Sequence, residues 1–243
     1  MSNPEEFAAA LDAAEQSIDW KSLENIYCSD GGAGFFSEEA INATRTAGLL
    51  FASDLGEHLS PRGRSMYVGA GVAELAPLVF EATMLSRRVT VHGLPGLELE
   101  QLKGAMQAVS EVTQIDTPRV TSDPIRPAET GQVDHLWFVS VLTDPEAFPA
   151  LHNRLYDRQG GPLQVSGGHP KAERARADTL VRLALGSLTT KAILTTSDEE
   201  LPIFEAIGTD MGLRIVSPTV SRLTGIVGDP VRHHRVINDR TQK

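Results

Sequence analysis

The chain has 243 residues, with 22 Lys and Arg against 32 Asp and Glu, a formal charge of −10 and one cysteine. That length buries a full core without staples, and a lone cysteine, Cys28, excludes an internal disulfide and a cysteine-based metal cluster. The acid excess disfavours a nucleic-acid partner, which needs a basic face to replace counterions, and no run reaches the ~18 apolar residues of a membrane span, so no membrane partner is expected.

In chain order, the start Met-Ser-Asn-Pro-Glu-Glu lacks the basic and apolar regions of a signal peptide. With the cysteine usage, this gives a cytoplasmic expectation. From Pro4 to Ile26 the apolar residues Phe7, Leu11, Ala14, Ile18 and Leu23 recur at helical spacing behind an Asn3-Pro4 start, which predicts one or two amphipathic helices. A loop through Ser29-Asp30-Gly31-Gly32-Ala33-Gly34 interrupts them. A second helix runs from Ser37-Glu38-Glu39 to about Leu59, where Ser60-Pro61-Arg62-Gly63 stops it.

Strands and helices then alternate. Strands are predicted at 65–68, 88–92, 118–122, 135–142, 191–195 and 213–217, with a terminal pair near 222–227 and 235–238. Helices are predicted at 72–86, 97–109, 145–156, 171–188 and 198–211. Alternation of this kind means a mostly parallel sheet covered on both faces. The glycine- and proline-rich stretch 159–170 is the expected mobile loop.

The most informative segment is Tyr67-Val-Gly-Ala-Gly-Val-Ala-Glu74, where a short apolar strand enters two glycines and then a helix. Gly69 and Gly71 allow a tight turn and close approach of a ligand, and the N–H groups of the following helix face the same spot. Ala70 lies between them and Glu74 follows in the first helical turn. Asp123-Pro124 sits in a turn after the third strand, and Ser140 lies near the end of the fourth, where a doubly wound sheet opens its ligand crevice.

These stretches, with Val133-Asp134-His-Leu-Trp-Phe-Val-Ser-Val-Leu142, resemble the class I S-adenosylmethionine-dependent methyltransferases over about three-quarters of the chain. The resemblance implies a Rossmann-like, doubly wound, mostly parallel seven-stranded sheet with helices on both faces. Residues 1–60 would be an N-terminal helical cap over the substrate and 61–243 the cofactor-binding domain. It implies S-adenosylmethionine as cofactor, a small molecule as methyl acceptor, and Tyr67, Gly69, Ala70, Gly71, Glu74, His92, Gly93, Asp123, Pro124 and Ser140 around the cofactor. The chain departs from the family where Tyr67 replaces a carboxylate and Ala73 a third glycine. The usual acidic residue after the second strand is also missing, since that strand reads Val89-Thr-Val-His-Gly93. His92 or Glu98 would have to compensate for it, or the ligand is a different one.

For proton transfer the chain offers His152 and Tyr156, four apart on one predicted helix, and His169 beyond the glycine-rich loop. No metal-ligand spacing is present, so no metal is expected. Gly225-Ile-Val-Gly-Asp-Pro-Val231 resembles a fragment of shikimate dehydrogenases but stands at the wrong end of the chain. The helical prelude is equally suited to covering a second copy, which leaves a homo-oligomer open. The alternatives are a non-catalytic or repurposed methyltransferase-like binding or scaffold protein, and a nicotinamide-dependent dehydrogenase.

Overall fold

The computed structural model describes residues 3–27, 36–116, 118–126, 131–161 and 164–238. Cys28, the run 29–34 and positions 162 and 163 of the glycine-rich loop lie outside the described residues. The chain forms two compact units, one of residues 1–124 with 222–228 and the other of residues 125–221 with 229–243.

The first unit opens with α1 (Pro4–Gln16), α2 (Trp20–Tyr27) and α3 (Glu38–His58). Asn3 caps α1 by accepting the Glu5 N–H at 3.0 Å, and Ser37 caps α3 by accepting that of Ala40 at 3.2 Å. Then come β1 (Arg64–Val68), α4 (Leu75–Thr83), β2 (Arg88–His92), α5 (Leu97–Thr113) and β3 (Arg119–Thr121), and later the two-residue β7 (Arg222–Leu223). The strands β3, β2 and β1 are neighbours in that order, and both ladders are parallel. Four of the five β1 residues are buried, so both of its faces are covered. The helix α1 packs on α4 and α5, and α3 packs on α4. Leu11, Leu55, Leu78, Val91 and Leu102 fill the core. A bidentate pair from Arg222 to Asp54, at 2.7 and 2.9 Å, ties the 222–228 segment to α3.

The second unit contains β4 (Val133–Phe138), α6 (Pro149–Leu155), α7 (Pro170–Gly186), β5 (Leu188–Ser197), α8 (Leu201–Asp210), β6 (Leu213–Val216) and β8 (Pro230–Asn238). The strands β4 and β5 are parallel, whereas β8 runs antiparallel to both β5 and β6. Phe138 and Phe204 meet edge to face at 4.9 Å in its core.

The order of elements is that of a Rossmann-like α/β protein, with a correction to the strand count. The described residues hold eight strands, as the strand patterns read along the chain predict, rather than the seven that the resemblance implied; the eighth is the two-residue β7. The helix predicted over 145–156 shrinks to Pro149–Leu155, since the preceding residues make turns in which Asp144 accepts the N–H groups of Glu146 and Ala147. Among the described residues no helix is long and apolar enough to cross a membrane.

A buried ionic network joins β1 to α4. Ser65 and Tyr67 are two apart on β1 and share a face. Both hydroxyls donate to Glu81, that of Tyr67 at 2.6 Å. The fully buried Arg87 donates to the same carboxylate at 2.9 Å and to the carbonyls of Ser60 and Arg64. Burial, followed by the Glu81 charge, pushes the Tyr67 phenol well above its ordinary value. Breaking such a pair strands a charge in the core. Arg87→Ala is expected to destabilise the chain by ~3–5 kcal/mol in chemical denaturation, and Tyr67→Phe by ~1 kcal/mol.

Candidate functional site

The carboxyl end of β1 runs into the glycine turn, which the structure builds from local conformational demands. Gly69 is left-handed at φ 68°, a region costly for other residues, and its N–H donates to the His92 carbonyl at 2.8 Å, extending the β1–β2 ladder by one step. Gly71 instead leaves a space that the end of the Glu98 side chain fills, so that a Cβ there would displace the Glu98 carboxylate. The chain continues through a single 3-10 turn, Val72–Glu74, before α4 begins, so the predicted helix starts three residues late.

Two carboxylates meet the N–H groups of this turn. Glu74 Oε2 accepts from Gly71 at 2.9 Å, and Glu98 Oε1, from the first turn of α5, accepts from Val72 at 3.2 Å. Burial pushes the Glu74 carboxyl up to about 8. The Gly71 N–H opposes that rise, and the Glu98 charge adds to it.

The ends of β2 and β3 are brought to one another beside this turn. His92 Nδ1 donates to the Asp123 carbonyl at 2.9 Å, because a carbonyl only accepts. Gly93 donates its N–H to the Thr121 carbonyl at 3.1 Å, and a Cβ on it would press on Leu99. The exposed Asp123 uses its own N–H on Thr121 Oγ1, and Pro124 is exposed next to it. Ala70 is buried, whereas Leu94, one residue past Gly93, is 70 % exposed. Tyr67 stands apart from these residues, since its hydroxyl belongs to the Glu81 network.

The second unit carries the remaining candidates. Ser140 has a left-handed φ of 58°, donates its N–H to Glu200 at 3.1 Å, and donates its hydroxyl to Asp229 Oδ2 at 3.1 Å. Leu142 donates its N–H to the other Glu200 oxygen at 2.6 Å. Burial pushes Glu200 up to about 8 against the opposing pull of these N–H groups.

Tyr156 donates to Asp229 Oδ2 at 2.7 Å, and burial followed by Asp229 raises its phenol well above the ordinary value. It is a neutral donor, not a base. His152 packs against it with ring centroids 5.1 Å apart, donates from Nδ1 to the Thr143 carbonyl at 2.5 Å, and accepts at Nε2 from Arg158 at 3.0 Å. Both of its nitrogens are committed, which is the arrangement of a structural histidine. The exposed His169 caps α7, its Nδ1 accepting the Ala172 N–H at 3.3 Å. The structure therefore brings His152 and Tyr156 together and gives each of the three a local partner.

Asp229, Glu200 and Glu98 are the polar centres that reading the sequence misses or leaves open. Asp229 lay in the run Gly228-Asp229-Pro230, whose turn-forming residues were the visible signal, and the structure gives Gly228 a left-handed φ of 76°. Glu200, in the Asp198-Glu199-Glu200 run, looked like ordinary helix-start charge. Among the described residues no three His, Cys, Asp or Glu side chains group as metal ligands.

No family model and no curated protein matches the sequence. Several solved structures are similar in fold at low identity. TYW2 from P. horikoshii, in complex with MeSAdo, is 12% identical with a TM-score of 0.48, over 81% of this chain and 64% of that one. TrmN from Thermus thermophilus is 15% identical with a TM-score of 0.48, over 84% of this chain and 53% of that one. The chain thus spans less than two thirds of either. A SAM-dependent methyltransferase from Aquifex aeolicus is 12% identical with a TM-score of 0.45, over 90% of this chain and 99% of that one.

Proposed function

We propose that the chain binds S-adenosylmethionine at the turn after β1 and transfers its methyl group to a small-molecule acceptor. The observation that carries this reading is the pairing of a glycine turn with two carboxylates, Glu74 and Glu98, on its N–H groups. A glycine turn that bound a phosphate would present those N–H groups to the ligand. Here they are already met by carboxylates, so a nucleotide pyrophosphate would encounter negative charge. A ligand without phosphate, with sulfonium and ammonium charges and ribose hydroxyl donors, fits the same lining.

The neighbouring elements suit the rest of such a ligand. The exposed Leu94 offers an apolar surface for a base, and the turn at Asp123 lies at the carboxyl end of β3, tied to β2 through His92. Methyl transfer to an in-line nucleophile is largely placement, which supplies ~7–11 kcal/mol without a triad. That the chain's histidines are each locally engaged is compatible with such a reaction.

One observation favours a second reading, a non-catalytic binding protein built on the same seat. His152, Tyr156 and His169 each already have a local hydrogen-bond partner. Calorimetry with S-adenosylmethionine and S-adenosylhomocysteine, followed by a turnover assay on a panel of small amines and phenols, separates the two. Binding with turnover supports the enzyme, binding alone the second reading, and binding of neither removes both. Gly71→Leu is expected to weaken S-adenosylmethionine at least ~10-fold with an unchanged far-ultraviolet spectrum, because the bulk fills the seat rather than the core.

The raised Glu74 gives a pH prediction. At pH 7 a carboxyl near 8 is mostly protonated, and a cation arriving beside it favours the ionised form. Binding therefore releases protons, and affinity for S-adenosylmethionine rises from pH 6 to 8. Calorimetry in buffers of different ionisation enthalpy reads the release directly, and Glu74→Gln is expected to abolish it.

A further inference from the structure

We propose that Glu98 is a latch on this seat: its carboxylate closes the glycine turn in the ligand-free chain and must swing away before an adenosyl ligand can lie against Gly71. The inference rests on the reading above and deepens it.

The missing side chain at Gly71 leaves a space, and that space is filled. A Cβ there would stand 1.9 Å from Glu98 Oε1, 2.6 Å from the carboxyl carbon and 3.2 Å from Oε2, so the whole carboxylate lies over the turn. Its Oε1 accepts the Val72 N–H at 3.2 Å, while Glu74 holds the adjacent Gly71 N–H at 2.9 Å. Both N–H groups at the bend are thereby covered from within the first unit. A ligand atom in van der Waals contact with Gly71 would occupy the volume that Glu98 now holds, and one of the two must leave.

Glu98 is also placed to leave. It is the second residue of α5, half-buried, and follows Gly96, around whose missing Cβ nothing lies within 4 Å. Leu94 and Leu97 on the same approach are 70 % and 42 % exposed. The Glu98 carboxylate stands at the end of a flexible side chain, so rotation about its side-chain bonds moves it off Gly71 while β1 and β2 stay in place. A charge-assisted hydrogen bond is given up in the process, and the ligand's affinity is reduced accordingly.

The test uses the full chain and S-adenosylhomocysteine, which has no sulfonium charge, so that lost attraction between Glu98 and the ligand does not mask release of the latch. Glu98→Ala is expected to bind it ~10-fold tighter with faster association in stopped flow. In the ligand-free variant the Val72 amide exchanges hydrogen faster than in the parent. Glu98→Asp, too short to reach Val72, is expected to show the same direction, and it serves if the alanine variant melts early. Weaker or unchanged binding in these variants while the parent binds overturns the latch and leaves the methyltransferase reading standing. Absence of binding of S-adenosylhomocysteine and S-adenosylmethionine by parent and variants alike overturns that reading itself.

Discussion

The structure turns on how backbone N–H groups at the bend after β1 are satisfied. An N–H at the end of a strand is an obligatory donor, and leaving it unmet away from water costs about as much as losing a hydrogen bond. In a phosphate-binding turn the ligand meets these donors. Here Glu74 and Glu98 meet them, with Glu74 pushed to about 8 by the burial that this arrangement demands. That choice of partner sets the charge at the bend, and both the proposed ligand class and the proposed latch follow from it.

The second unit uses the same device for stability. Glu200 accepts from Ser140 and Leu142 at the end of β4. Glu173, also buried, accepts the N–H groups of Ala150 and Leu151 at 2.8 and 2.9 Å, at the start of α6, and that of His169 at 3.0 Å. Gly168, before the α7 cap, is dictated by its left-handed φ of 82° and by the Ala150 backbone and Pro149 ring that a Cβ would strike, beside the same Glu173 carboxylate. Several of the acidic residues that outnumber the basic ones are therefore internal caps, and the formal charge of −10 overstates how much negative charge reaches the surface.

Much of the fold was legible in local patterns. The helix starts at Asn3 and Ser37, the strand at 65–68 and the left-handed Gly69 follow from capping chemistry, a short run, buried on both faces, that leads into a glycine turn, and the steric freedom of glycine. What local pattern could not carry was pairing between distant residues. Tyr67 stands where the resemblance implied a ligand contact, and only the fold reveals Glu81, itself held by Arg87, accepting from its hydroxyl. His152 lies on α6 and Tyr156 caps its C-terminus just outside it, and their partners are Thr143, Arg158 and Asp229, the last 73 residues away from Tyr156. The strand near 222–227 was legible in local pattern, and the count of seven came from the family resemblance; what the sequence could not carry was the Arg222–Asp54 pair across 168 residues.

The distribution of charge carries the argument one step further. Of the 22 basic and 32 acidic residues, the first unit holds 9 and 18, and the second 13 and 14. Nearly the whole acid excess thus belongs to the unit that contains the glycine turn. A field of one sign raises the local concentration of oppositely charged small molecules and lowers that of polyphosphates, over about a Debye length of ~8 Å at physiological salt. On the proposed reading, the long-range field and the Glu74 carboxyl at short range act in the same direction. The field governs how often a cationic ligand arrives, and Glu74 how well its charge is met once Glu98 has moved aside.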